Sequence, residues 1–576
     1  MCSFMQLRKN CKEDMSMLPK YRLALIADCA TQHMAFALKG CAYIRNLCLE
    51  VFDADYNQIH MQAYDKNSEM YKFDPDAVLI FMCTENLYAA WCETPYDRRQ
   101  IFAEMVFKQI HECWDTVSSN CPANILQFTF AEYDDFIFGN YGCKHKASFI
   151  YQLRKLNMLL MEGCTADRHV FLIDLCGIQT RLGRERIFDA KLYYNTKMPI
   201  SLVAMPIAAA SVIDTIKSLC GTVMKCVVVD LDNTLWGGIV GDDGLSNIQI
   251  GELGIGRVFS EFQAWLRELK KRGVLLVVCS KNDETIAREP FLKHHEMLLK
   301  LDDFALFVAN WEDKATNIRK IQQTLNIGMD SMIFIDDSPF ERDLVRSLIP
   351  EIIVPELPDD PADYISYMQS LNLFEVASFS DADTNRTNQY RLEAQRDAIR
   401  LQYEDYDEYL QSLEMKAKAE PFSEFYIPRI VQLTQRSNQF NLRTVRYTEM
   451  EIIEAAKDPN RITLYFTLKD KFSDYDLISV AIMQKQSNRS LFIETWLLSC
   501  RVLKRGMEEF IINKIVDVAK QNGFATITGE YIRTPKNSMV ADIYEKLGLM
   551  RTNENTFVTE VSSFKYNKTH IKEETQ

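Results

Sequence analysis

Apolar positions along the chain fall into short continuous runs separated by stretches of helical spacing. RLALIA at 22–27, AVLIFMC at 77–83, ILQFTF at 125–130 and HVFLIDL at 169–175 each stand between segments long enough for a helix. That alternation predicts an α/β layer structure over roughly 20–200. Ligand contacts in such a sheet come from the C-terminal ends of its strands, where Asp28 and Cys29 follow the first run. A second α/β pattern opens at 226 with CVVVDLDNTLWGG. In FSEFQAWLRELKKR the residues Phe259, Phe262, Leu266 and Leu269 share one helix face, and Gly273 ends the helix. VLLVVCS at 274–280 is a buried strand, Lys314 starts a helix with Ile318, Ile321 and Leu325 inward, and SMIFIDDSPFERD supplies a strand, a turn and a helix start.

From about 374 to 425 the pattern turns charged and aromatic. YRLEAQRDAIRLQYEDYDEYLQSLEMKAKAE reads as one long helix, a connector or docking surface without a core of its own. Strand-like RITLYFTL, LISVAIM and LFIETWLLS follow, then a helix over 506–521 and a polar tail, KYNKTHIKEETQ. The 576 residues suit three or four domains. A net charge of -14 argues against a nucleic-acid face or an acidic-membrane face, leaving room for a local basic pocket. No run of eighteen apolar residues occurs, and none of the sixteen cysteines forms a CxxC pair with another. A reduced, cytoplasmic chain is the expectation.

The chemistry concentrates where two buried strands end in acids. Asp230 closes one strand, and Asp232 follows two residues later, where a tight turn can present both carboxylates to one ligand. Carboxylates so close repel unless a cation or a shared proton intervenes. One of them can attack phosphorus to form an acyl phosphate, and the other can protonate the leaving oxygen and then activate water. Asp230 is assigned to attack and Asp232 to acid-base work. A magnesium ion would take the Asp230 side chain, the Asp232 carbonyl and an acid from FIDD, Asp336 or Asp337. Ser280 at a strand end would bind phosphate oxygens, and Lys314 would neutralise charge on the phosphoryl group and the nucleophile. A lone DxD is more often a surface turn or a helix cap. Four ordered pieces are not.

DLDNT, the serine after an apolar strand, Lys314 and FIDD together resemble the four motifs of the haloacid-dehalogenase-like (HAD) phosphotransferase superfamily. The resemblance implies roles for Asp230, Asp232, Thr234, Ser280, Lys314 and Asp337, with Thr234 and Ser280 at the substrate phosphate and Asp337 preferred over Asp336 as metal ligand. Only 47 residues separate Asp232 from Ser280, too few for a folded lid, so neighbouring domains or a large substrate must exclude water. The longer strings VVVDLDNTLWGGIVGDDG, LLVVCSKND and FIDDSPFER, with RIVQLTQRSNQFNLRT and DKFSDYDLISVAI, are similar to the FkbH-like subgroup (HAD subfamily IIIC) over most of 20–560. Some of its members take a glyceryl unit from a bisphosphoglycerate and load it on an acyl carrier protein thiol. That implies a phosphorylated acyl or glyceryl substrate, a carrier protein partner and a thiol relay, with Cys279 beside Ser280 as a candidate and a small core residue as its bland reading.

The resemblance further implies a capless Rossmann-like HAD core between an SGNH-hydrolase-like α/β domain and a mixed α+β domain like the GNAT acetyltransferases. The expected boundaries are 1–205, 221–372, a helical connector at 373–435, 436–565 and a tail at 566–576. In the first domain Cys29 stands where SGNH hydrolases place serine, Asn157 lies on a helix, and no histidine occurs between 170 and 293. A binding or structural role for Cys29 therefore outweighs catalysis. CRVLKRGMEEFIINKIVDVA resembles the GNAT pyrophosphate loop and helix, with Arg501, Arg505 and Gly506 toward acetyl-CoA or carrier-bound phosphopantetheine, though Lys504 stands where a glycine is usual. Asn537 and Tyr544 would face the acyl donor. The expected function is phosphate removal from an acyl or glyceryl phosphate coupled to carrier loading. The alternatives are a stand-alone small-molecule phosphatase and a nonenzymatic carrier-binding or assembly protein.

Overall fold

The computed structural model describes residues 2–379, 392, 403, 405–437, 439–499, 502–534 and 536–574, in two compact units, Met1–Lys217 and Ser218–Gln576. In the first, β1 (Lys20–Ala27), β2 (Cys48–Asp53), β3 (Ala77–Phe81), β4 (Asn124–Phe128) and β5 (Val170–Ile173) form a parallel sheet of order β2-β1-β3-β4-β5. All five residues of β3 are buried, as a strand covered on both faces requires. Ile26, Val78, Ile80 and Ile125 pack with Trp91, Trp114 and Phe149 from the helices on one face. The strand order reverses between β1 and β3, and Asp28 and Cys29 follow the C-terminal end of β1 there.

The second unit carries two sheets. β6 (Cys226–Val229), β7 (Leu275–Ser280), β8 (Phe304–Ala309) and β9 (Met332–Ile335) are all parallel in the order β8-β7-β6-β9. Alternate strand residues divide into two cores. Val227, Val229, Leu276, Val278 and Ile335 meet Phe259, Phe262, Leu266 and Leu269 of helix Gly254–Lys271. Cys226, Val228, Val277, Cys279 and Phe334 meet Ile318, Ile321 and Leu325 of helix Lys314–Leu325. Both helix faces are those the apolar spacing predicts. Gly273, at φ 92°, turns the chain back into β7 in a conformation that side chains resist.

The remaining strands, β10 (Lys416–Glu420), β11 (Arg461–Lys469), β12 (Asp474–Lys485), β13 (Ser490–Leu498), β14 (Thr526–Glu530), β15 (Met550–Arg551), β16 (Thr556–Glu560) and β17 (Lys572–Glu573), form one mixed sheet. β13–β14 and β10–β17 are its parallel pairs, and helix Met507–Gln521 crosses between β13 and β14. The expected long connector helix is corrected over its second half. Its residues 390–391, 393–402 and 404 lie outside the described residues, and the chain beyond them forms a short helix, Tyr406–Ser412, and then β10, paired antiparallel with β11. Tyr409, Leu410, Leu413, Met415 and Ala417 join the core of the mixed sheet, so an alternating apolar edge outweighs the helical propensity of the charged positions. The tail is likewise paired, through β17, and Ile571 is buried. Among the described residues no helix is long and apolar enough to cross a membrane.

One buried polar side chain ties the first parallel-sheet core of the second unit to its functional edge. Gln263 on helix Gly254–Lys271 is fully buried, donating to the Leu235 carbonyl at 2.8 Å and accepting from the N–H groups of Leu298 and Leu299 at 3.2 and 3.1 Å. Gln263→Leu keeps the volume and leaves those groups unmatched. It is expected to destabilise the chain by about 2–3 kcal/mol, read as a lower urea midpoint.

Candidate active site

Because β6 and β9 run parallel side by side, their terminal acids come together. The Asp230 N–H donates to the Ile335 carbonyl at 3.0 Å, carrying the ladder one residue beyond Val229. The backbone then turns sharply, with Asn233 left-handed at φ 53° and its side-chain oxygen accepting from the Gly238 N–H at 2.9 Å. Asp232 stands at the start of that turn.

Carboxylate oxygens of Asp230, Asp336 and Asp337 all lie within 4.8 Å of one another. The Lys314 ammonium, buried at the start of its helix, reaches Asp230 Oδ2 at 2.7 Å and Asp336 Oδ2 at 2.5 Å. Burial works against its charge, but Asp230 and then Asp336 outweigh that and raise its pKa above the ordinary lysine value. Asp336 is fully buried; burial first and the charge of Asp230 second push its carboxyl up to about 7, against the pull of Lys314. The same two causes raise Asp337. Three carboxylates face one ammonium, an imbalance that a divalent cation matches. Asp230 Oδ1 is buried without a hydrogen-bond partner among the described residues, an unmet acceptor in an all-oxygen donor set. These residues fit a hard, oxygen-seeking cation such as magnesium.

The other expected residues divide. Ser280 ends β7 at 2% exposure, at the same sheet edge. Thr234, expected at the phosphate, is fully buried and its hydroxyl serves Asp337 instead, donating to Oδ1 at 3.3 Å and accepting from the backbone N–H at 3.2 Å. Asp232 lies outside the carboxylate cluster. Burial raises its carboxyl, opposed by the Val240 N–H, and Trp236 Nε1 and Asn282 Nδ2 also donate to it. Sequence reasoning missed Trp236 and Asn282, and also Arg342. The Arg342 guanidinium donates to the Asp336 and Asp337 carbonyls at 2.9 and 2.6 Å, fixing the turn that carries both acids. Only the helix start was signalled there, by Ser338 capping and Pro339 at the first turn.

The candidate thiols are corrected by burial. Cys279 belongs to the core on the far face of β7, fully buried, with its thiol pushed up to about 12 by burial. Cys29 is 1% exposed and its thiol is raised well above the ordinary range, by burial and then by a hydrogen bond with Cys83. Both thiols are closed off from solvent. Asn157 spends both ends of its amide on the Phe130 backbone, at 2.9 and 2.8 Å.

The described residues expected to meet acetyl-CoA or phosphopantetheine in the mixed-sheet region are engaged within the protein. Arg501 lies outside the described residues. Arg505 is buried, bonded to the Tyr475 hydroxyl and 3.7 Å from Asp470. Gly506 does cap helix Met507–Gln521 in the left-handed region at φ 81°, but its carbonyl takes the Thr569 hydroxyl at 2.9 Å, and Glu508 and Glu509 fill the first turn. Glu508 Oε1 accepts the Lys504 N–H at 3.1 Å, so a carboxylate already occupies the place of a phosphate. All four hydrogen-bonding directions of Asn537 are internal, to Tyr531, Ile532, Thr534 and Asn441. Tyr544 is sealed between Trp496 and Phe557, over Gly529, where a Cβ would lie 2.4 Å from its ring.

A parallel sheet whose C-terminal edge gathers a DxD turn, a strand-end serine, a buried lysine and a terminal acid pair defines a HAD-type phosphatase or phosphotransferase. Residues 22–217 match the family described as FkbH, N-terminal domain. Among solved structures, the N-terminal part of the protein BF1531 from Bacteroides fragilis, containing a phosphatase domain and complexed with Mg, is 46% identical; the match covers 66% of this chain and 100% of that one, with a TM-score of 0.64. The chain therefore belongs to the FkbH-like family of HAD-type phosphatases. The ribosomal-protein-S18-alanine N-acetyltransferase from Escherichia coli also matches, at 15% identity over 26% of this chain and 98% of that one, with a TM-score of 0.21. No protein of the curated collection matches.

Asp28, past the end of β1, yields a pH test. Burial pushes the Asp28 carboxyl up to about 6, opposed by the N–H of Cys83 and by Asn86. A carboxyl raised from 3.8 favours the neutral acid in the fold, so its contribution is present below about 3.8 and is lost as pH rises through about 6. Asp28→Asn is expected to match the native chain near pH ~4 and to melt higher than it by pH ~7. A difference in melting temperature that ignores pH refutes the shift.

Proposed function

We propose that the chain is a magnesium-dependent phosphatase that uses Asp230 as nucleophile. The observation that carries this reading is the convergence of Asp230, Asp336 and Asp337 on a buried Lys314. In the first step an Asp230 oxygen attacks phosphorus, the bond from phosphorus to the leaving oxygen breaks, and Asp232 delivers its proton to that oxygen. In the second, Asp232 takes a proton from water, the water oxygen attacks phosphorus, and the acyl phosphate opens to return the Asp230 carboxylate. Lys314 holds one oxygen of Asp230 throughout and offsets its charge. Asp336 holds Lys314, accepting from it and from the Ser338 N–H at 2.9 Å. Thr234 and Arg342 keep Asp337 in place. Magnesium, bound by Asp230 and the Asp336–Asp337 pair with the Asp232 carbonyl, would supply charge stabilisation at the phosphoryl oxygens.

A second reading rests on the shortness of 233–279. These residues, all described, fold into turns, the short helix Val240–Asp243, helix Gly254–Lys271 and the start of β7, with no lid domain among them. An uncovered site suits a phosphoryl group presented on something larger, and the FkbH resemblance points to an acyl or glyceryl phosphate and a carrier thiol. With Cys29 and Cys279 buried, transfer would pass directly to the carrier's own thiol. A mass increase on a purified carrier protein supports loading; phosphate release with unchanged carrier mass leaves the phosphatase reading alone.

Asp230→Asn is expected to lower phosphate release by roughly a thousandfold or more while leaving the far-ultraviolet circular dichroism unchanged. Equal activity in that variant overturns the nucleophile assignment. Chelation with EDTA is expected to abolish release, and added magnesium to restore it. Cys279→Ala is expected to keep phosphate release within about threefold and to lower the melting temperature, because a buried side chain is lost.

A further inference from the structure

Asp232 is the carboxylate of the site that the cation cluster and Lys314 leave aside, and both its oxygens face donors. Oδ1 accepts from the Trp236 indole N–H and the Val240 N–H, each at 3.0 Å, and Oδ2 accepts from the Asn282 amide at 3.1 Å. These donors are themselves braced. Trp236 is fully buried, its ring edge-on to Phe291 at 5.6 Å and 68°, and its backbone bridges back to Asp232. Asn282 is buried, and its side-chain oxygen accepts the Asp283 N–H at 2.8 Å. A backbone N–H can only donate, so that bond fixes the amide's orientation and turns its NH2 toward Asp232. Asp283 in turn caps helix Glu284–Lys293, which also carries Phe291. One helix thus supports both clamps.

A tryptophan needed for packing alone leaves its N–H idle or on a backbone carbonyl; this one is spent on an acid. We propose that Trp236 and Asn282 are positioning residues that fix the plane of the Asp232 carboxylate for proton transfer. Oδ1 is filled by two donors and Oδ2 by one, so the remaining lone pair of Oδ2 is the place for the transferred proton. In phosphoryl transfer the phosphorus–oxygen bond to the leaving group breaks and that proton goes to the departing oxygen; in hydrolysis a water proton returns to the same lone pair. The inference rests on the acid-base role proposed for Asp232.

The test separates proton delivery from folding through the leaving group. p-Nitrophenolate departs without a proton, whereas an alkoxide needs one. With the full chain and magnesium, kcat/KM is measured for p-nitrophenyl phosphate and for an alkyl phosphate that the native chain hydrolyses. This ratio reports steps only up to release of the leaving group, so the later need for a base does not enter. Trp236→Phe and Asn282→Ala are each expected to lower the alkyl value about ten- to a hundredfold and the p-nitrophenyl value less than about threefold. Equal losses on both substrates, with Asp232→Asn still selective, overturn the positioning role. If Asp232→Asn itself loses both equally, the acid-base assignment fails and the positioning inference falls with it. Should Trp236→Phe not fold, Asn282→Ala, on a polar edge outside the aromatic core, carries the same comparison.

Discussion

Like charge held together inside protein governs this molecule. Asp230, Asp336 and Asp337 share a space smaller than 5 Å at the end of two adjacent buried strands. Burial of Asp230 and Asp336 leaves little water to relieve their repulsion. The chain answers with a buried ammonium on two of them, a threonine hydroxyl on the third and an arginine under the carbonyls of the pair. The answers leave the site net negative, a charge that a divalent cation matches.

The parallel register turns a sequence pattern into this geometry. β6 is flanked by β7 and β9, so the strand leading to Asp230 has the strands leading to Ser280 and Asp336 on its two sides. No loop has to search for its partner. The acids could be read from the sequence because they interrupt uninterrupted apolar runs, and nothing but a ligand or a counter-charge justifies acid at the mouth of such a strand. Helix faces were legible for the same reason, as the alternation of Ile318, Ile321 and Leu325 shows.

Legibility ended where a residue's role depends on which way it turns. Arg505, Asn537 and Tyr544 sit in loops and helix starts that resemble a cofactor site, yet all three point inward and are consumed by neighbours distant in sequence, among them Tyr475, Asn441 and Trp496. The same ambiguity misled in the other direction at Trp236 and Asn282. A buried Trp four residues past Asp232 and an Asn fifty residues past it carry no mark of their bonds to that acid, because the first depends on the turn's own backbone path and the second on β6 and β7 lying side by side. KAKAE reads as helix for a related reason: its alternate alanines and lysines have a face only when β11 lies beside them.

A lid, where present, organises the proton carrier of a site as it closes. With no lid domain in 233–279, the orientation of Asp232 is set by the turn after β6 itself. Rigidity must then come from packing, which explains why Leu235, Trp236 and Val240 of that turn are buried, the first two entirely. Gln263 beneath it and Phe291 beside it supply that rigidity from two helices. The short 233–279 stretch and its buried turn therefore belong together: the fold itself fixes the Asp232 carboxylate before anything binds.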